Sequence, residues 1–262
     1  MFTNDKVFIP EVRFELTPIE MEADLLYSFS RPEGRFINTM NKVYPDLKDI
    51  LEKSQNKEEA ISKCREFAEK IIIQDQSVIL KAKDMIQNDW NMISDEFMTI
   101  LSKHFETDWL ENKDVITGYV SILPIFPRFL SKFSICVGYK GTILQARETI
   151  AHEILHFLWF KKWKEVFPEI SEDKYESPNL VWRLSEIMDP IILQCQPEIK
   201  KLIQPIRWGY SSFKDIKIDD ISMTEYFVRI YNNCVKDKKS FEESLQILWK
   251  EAQEHRNVIE RF

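Results

Sequence analysis

The run Phe133-Ser134-Ile135-Cys136-Val137-Gly138-Tyr139-Lys140-Gly141-Thr142-Ile143-Leu144-Gln145-Ala146-Arg147-Glu148-Thr149-Ile150-Ala151-His152-Glu153-Ile154-Leu155-His156 decides the fold class. Phe133, Ile135, Val137 and Tyr139 alternate strictly, which is the period of a β-strand with one buried face. Gly141 ends that strand, and Thr142 with Gln145 three positions later forms a capping box that opens a helix. The helix should run to about Lys164, where Lys161, Lys162 and Lys164 complement the negative end of its dipole. Strand, turn and long helix in one stretch indicate an α+β chain.

Outward from this stretch the chain reads as mainly helical. Only five Gly occur in 262 residues, which favours helices over tight turns. Val7 to Leu16 looks extended, and Thr17-Pro18-Ile19-Glu20 starts a helix that should reach about Ser30. Helical spacing recurs from Asn56 to Ile73 and from about Ser77 to His104. The β-prone region Asp114 to Tyr139 predicts two or three strands of a small antiparallel sheet. Ser177-Pro178 opens a helix with Leu180, Val181, Leu184, Ile187 and Met188 on its apolar side and a bend at Pro190. Two more capping boxes, Ser222 with Glu225 and Ser240 with Glu243, start helices in the tail. The expectation is one domain, with a helical N-terminal part over residues 1–110 and a core over 111–262. In it the small sheet packs on the long helix and the C-terminal half is helical.

Thirty-six Lys and Arg stand against 43 Asp and Glu, a net charge of -7 with no long basic run. That argues against nucleic acid or an anionic membrane as the main partner. Met1-Phe2-Thr3-Asn4-Asp5-Lys6 has no basic segment followed by an apolar run, and no apolar stretch approaches a membrane span. Cys64, Cys136, Cys195 and Cys234 are scattered, as free thiols in a reducing cytoplasm would be.

The long helix carries H-E-x-x-H. His152 and His156 are four apart and so share one helix face, where both imidazoles can bind one metal ion. Glu153 is about 100° round the helix, aimed at a metal-bound water rather than at the metal. Zinc suits two neutral imidazoles and a carboxylate, and it lowers the pKa of its water towards roughly 7. The flanking positions are largely apolar, so the helix should be buried, and a metal then gives its polar groups partners they would otherwise lack.

Position 159, three after His156, is Trp, and position 162, six after it, is Lys, so the extended H-E-x-x-H-x-x-G-x-x-H pattern of the metzincins is absent. What remains resembles the gluzincins, the thermolysin-like and aminopeptidase-like zinc metallopeptidases. That resemblance implies a third ligand from a Glu on the next helix, here Glu186, with Asp189 near it to orient a ligand imidazole. Asp189 as the third ligand is the main alternative. The fit is partial: Glu186 follows His156 by 30 residues, longer than usual, and the acid comes three rather than four residues after the Glu. Oxyanion stabilisation calls for a His or Tyr donor opposite the base, with Tyr210 the first choice and His255 the second. The strand Phe133 to Tyr139 would be either a substrate-pairing edge or an ordinary core strand. The implied activity is that of a cytoplasmic zinc metallopeptidase acting on a peptide or protein, with Glu153 as general base. The second expectation is a metal-binding regulatory or interaction protein that keeps this fold without turnover.

Overall fold

The computed structural model describes residues 8–32, 34–110 and 112–261. The reading of the N-terminus and the start of the extended stretch at Val7 lie outside the described residues. Contacts divide the chain into two compact units, one made of Glu11–Met92 and Val115–Ile150, the other mainly of Ile93–Asp114 and Ala151–Phe262. The sequence predicts one unit, with a division near residue 110. The segments instead interleave, because a strand near the start pairs with one about a hundred residues later, and such pairing leaves no change of composition to read.

The sheet-containing unit holds β1 (Glu11–Leu16), β2 (Val115–Ser121), β3 (Arg128–Phe129) and β4 (Ser134–Gly138), in the order β1-β2-β4-β3. Around them come α1 (Ile19–Phe29), α2 (Ile37–Val43), α3 (Pro45–Glu52), α4 (Lys57–Gln74) and α5 (Gln76–Asn91). The mainly helical α+β class is as the sequence reads, but the sheet is mixed rather than antiparallel: β1, β2 and β4 run parallel and only the short β3 opposes β4. Alternation sets which side chains face the core, not strand direction. A parallel pair needs a long crossover, and the helices between β1 and β2 provide one. β4 is therefore an inner strand, and Pro127 O accepts the Cys136 N–H at 2.9 Å on its β3 side.

Local chemistry explains several details of this unit. The ring of Phe14 crosses β2 opposite Gly118, where a Cβ would sit 2.3 Å from it, so only glycine fits. The outer edge of β1 is closed by Gln87, whose amide accepts from Phe14 N–H (2.8 Å) and donates to Val12 O (3.0 Å). This imitates a neighbouring strand and protects the edge. Thr17 does not cap α1; its hydroxyl donates to Val120 O at 3.0 Å. Glu22, 1 % exposed, accepts from Ile122 N–H (3.0 Å) and lies 2.9 Å from Ser121 Oγ. Burial pushes its pKa up to about 7, against the pull of those donors.

The second unit is helical: α6 (Ser94–Phe105), α7 (Ile143–Val166) from Ala151 onward, α8 (Leu180–Cys195), α9 (Pro197–Ile203), α10 (Met223–Lys236), α11 (Phe241–Glu254) and α12 (Arg256–Ile259). A two-residue hairpin pairs β5 (Lys217–Ile218) with β6 (Ile221–Ser222). The expected helix from Ser77 to His104 is two helices, α5 and α6, parted at Met92 and Ile93. Apart from Thr17, the sequence-read capping interactions form: Thr142 and Gln145 exchange bonds at 2.8 and 3.3 Å, Ser222 accepts from Glu225 N–H, and Ser240 and Glu243 close a full box. Phe105, Trp159, Trp163 and Phe241 pack edge-on or stacked at 4.5–6.4 Å and are almost wholly buried. Burial of this kind contributes roughly 2–3 kcal/mol per large side chain.

His104 sits at the end of α6, its Nε2 3.1 Å from the Tyr231 hydroxyl, which also accepts from the Gln196 amide. Burial lowers its pKa to about 4, while an unfolded His titrates near 6.5. Between those values the unfolded chain takes up a proton that the fold refuses, so this stability is present above pH 6.5 and lost as pH falls towards 4. Glu22 has the opposite sign: its raised pKa favours the fold below about 4.5, and that contribution is lost as pH rises to about 7. Urea unfolding of wild type beside His104→Gln should therefore differ by up to about 3 kcal/mol across pH 6.5 to 4, with the variant flatter. Curves for the two proteins that stay parallel throughout would contradict this reading of His104.

Candidate metal centre

α8 is buried on every side, with each residue from Leu180 to Gln194 shielded from solvent. A helix of this kind must account for its polar groups one by one. Arg183 donates from Nε to Pro178 O (2.8 Å) and from a terminal nitrogen to Ile259 O (3.4 Å); Ser185 donates to Trp182 O (2.7 Å). Gln194 donates to Pro205 O and Arg207 O. Glu186 and Asp189 turn instead towards the motif helix.

There the two imidazoles and one carboxylate converge. His152 Nε2 and His156 Nε2 are 3.3 Å apart, and the Glu186 oxygens lie 3.5 Å from each of them, Oε2 from His152 and Oε1 from His156. The two rings stand nearly perpendicular, with centroids 4.8 Å apart. Donor atoms bound at about 2.0–2.1 Å in a tetrahedron are about 3.3–3.4 Å from one another; the two imidazole nitrogens meet that spacing, and with one carboxylate oxygen the three donors lie within 4.8 Å of one another. Among the described residues, His152, His156 and Glu186 are grouped so that they could hold a metal ion. Asp189 lies on the far side of one ligand, its Oδ2 2.8 Å from His156 Nδ1. A carboxylate there holds the proton on Nδ1 and leaves Nε2 as the lone-pair donor. Glu186 is thus placed within the cluster, and Asp189 against the nitrogen of His156 that faces away from it.

Glu153 stands beside the triangle and not in it, with Oε1 4.0 Å from His152 Nε2. Charge balance is the second feature. Glu153, Glu186 and Asp189 are 8, 5 and 0 % exposed, and they face two imidazoles. Burial works against a charge on His152, but Glu186, then Glu153 and Asp189, outweigh it and push its pKa up to about 9. Three buried acidic side chains thus gather round the two imidazoles, a set whose charge a divalent ion on the three donor atoms would help to balance.

The other candidates stand elsewhere. Tyr210 is half-buried on the loop between α9 and a short 3-10 turn, its ring edge-on to Phe213 at 5.4 Å. His255 ends α11 with Nε2 3.0 Å from the Tyr226 hydroxyl. Neither is part of the cluster. Pro190, where the sequence places a bend, is four residues after Glu186 and has no N–H for its carbonyl, so the helix ladder is interrupted there.

Comparison of the chain with family models, curated proteins and solved structures gave no match, so the functional argument rests on these residues.

Asp189→Asn keeps the shape of the side chain and removes the charge that holds His156 Nδ1. It should weaken metal binding roughly 10- to 100-fold, read by competition against a chelator, with the helical circular dichroism unchanged. Equal affinity in both proteins would remove Asp189 from the account.

Proposed function

We propose that this protein is a zinc-dependent peptidase, and the observation that carries the reading is the triangle of His152, His156 and Glu186 with Glu153 beside it. Two imidazoles, one carboxylate and an open fourth position are the donor set of catalytic zinc sites. The resemblance to gluzincins points the same way, through the H-E-x-x-H pair and a ligand Glu from the following helix. When bound, zinc supplies Lewis acidity that acidifies water and polarises a carbonyl.

The chain's own residues do the rest. Asp189 holds Nδ1 of the His156 ring, so that Nε2 would be the nitrogen that binds a metal ion. Glu153 takes a proton from the attacking water as its oxygen bonds to the peptide carbonyl carbon. The same carboxylic acid then returns that proton to the amine nitrogen as the C–N bond breaks. Burial of Glu153 keeps its carboxylate close to the reacting atoms and away from bulk water.

No helix among the described residues is long and apolar enough to cross a membrane. The four cysteines are free thiols, three of them buried, which suits a reducing compartment such as the cytoplasm. The acidic net charge fits a peptide or protein substrate better than nucleic acid or a membrane surface.

Glu153→Gln tests the mechanism, because the amide keeps the size of the side chain and cannot take a proton. The variant should keep its metal and lose roughly 100- to 10,000-fold in turnover of a fluorogenic peptide library. Equal turnover by both proteins would refute Glu153 as the base. A wild type that binds zinc and cleaves nothing in the library would leave the second reading, a metal-binding protein without hydrolytic activity.

A further inference from the structure

A slot of about 260 Å³ opens in the sheet-containing unit, between α5 and the segment that leads from β4 into α7. One wall is a stripe of α5 in which Val78, Ala82 and Met85 recur at helical spacing. The other wall runs from Gly138, the last residue of β4, to Ala146 near the start of α7. Since β4 lies parallel to β2, the slot sits at the carboxyl end of a parallel strand. Open α/β sheets take their ligands in the crevice at that end.

Clasps at both ends of α5 hold the two walls at a fixed distance. Asp75, just before the helix, accepts from the Tyr139 hydroxyl at 2.5 Å and lies 3.4 Å from Lys140 Nζ. Asp89, in the last turn, accepts from Arg147 Nε at 2.9 Å and from a terminal nitrogen at 2.5 Å, a two-bonded fork whose side chains are 11 and 12 % exposed. Between these clasps Val78 and Met85 nevertheless stand 53 and 49 % exposed. Apolar surface kept open in a concave, pinned site marks a place for a ligand.

Charge chooses the head group of that ligand. The charged side chains that line the slot are Lys81 and Lys140, both basic. Lys140 is shared with Asp75 and lies over the Tyr139 ring at 4.9 Å, whereas Lys81 has no ion pair among the described residues. The volume is that of roughly nine water molecules at liquid density, and so of about as many methylene groups. We propose that this slot binds a small apolar monocarboxylate, a chain of about eight to ten carbons that lies along Val78, Ala82 and Met85 with its carboxylate at Lys81 and Lys140. Each methylene taken out of water adds up to about fourfold in affinity, and the carboxylate adds an attraction that a neutral head group lacks. The site is separate from the metal cluster and does not depend on the peptidase reading.

Calorimetric titration of the full chain tests this with butanoate, hexanoate, octanoate and dodecanoate, and with octanol as the neutral counterpart. Wild-type affinity should rise about two- to fourfold per methylene up to octanoate and flatten by dodecanoate, with octanoate about threefold or more tighter than octanol. Ala82→Phe fills the slot and should weaken octanoate about tenfold or more. Lys81→Glu changes an exposed side chain and should weaken octanoate about three- to tenfold while leaving octanol unchanged, which decides the matter even where Ala82→Phe does not fold. Octanoate affinity that survives both variants would overturn the slot and move the binding elsewhere, for instance to an ion at the imidazoles. An affinity that climbs at one rate through dodecanoate, or octanol bound as tightly as octanoate, would overturn the assignment too. So would a wild type that binds none of these compounds at millimolar concentration, and a wild-type dimer that Ala82→Phe splits would then give the face to a second copy of the chain.

Discussion

Everything in the second unit answers to one electrostatic constraint: three carboxylates and two imidazoles meet between two buried helices. Charged groups that water cannot reach must be neutralised by one another, by protons or by a cation. The arrangement of α7 and α8 meets the need in layers. Glu186 spans the two Nε2 atoms at 3.5 Å each, and Asp189 lies against the outer nitrogen of His156. The remaining polar groups of α8 are drawn off to backbone carbonyls, so that none competes for the cluster. Arg183 in particular donates to Pro178 O and Ile259 O.

Rigidity follows from the same packing. The His156 ring stacks on Phe160 at 5.7 Å, and Phe160 stacks on Tyr175 at 4.6 Å, so the ligand is braced by a column of rings on its own helix and the next segment. Metal sites depend on such bracing, because ligand geometry that drifts by a fraction of an ångström changes both affinity and chemistry. Pro190 interrupts the ladder of α8 one turn from Glu186, and Gly209 lies close to its ring.

Much of this was legible in the sequence because it is local. His152, Glu153 and His156 are placed by helical spacing alone, and the capping residues at Thr142, Ser222 and Ser240 do in the structure what their spacing announces. Glu186 and Asp189 came from a resemblance together with an apolar setting, and the structure places both against the imidazoles. What was not legible is non-local. Strand direction in β1, β2 and β4 depends on the crossovers between them, while alternation of Phe133 to Tyr139 is the same for either direction. The interleaving of the two units arises from that pairing. Tyr210 shows the limit from the other side: an aromatic residue after a glycine reads equally well as a donor or as packing, and its ring lies against Phe213.

The central claim is that His152, His156 and Glu186 hold one zinc ion, and elemental analysis tests it most directly. Purified wild type and Glu186→Ala are incubated with zinc, desalted and assayed for metal per chain. The account predicts about one zinc per chain in wild type, as three protein ligands bind zinc tightly, and a small fraction of that in the variant. Wild type without zinc, or a variant that retains a full equivalent, would contradict it.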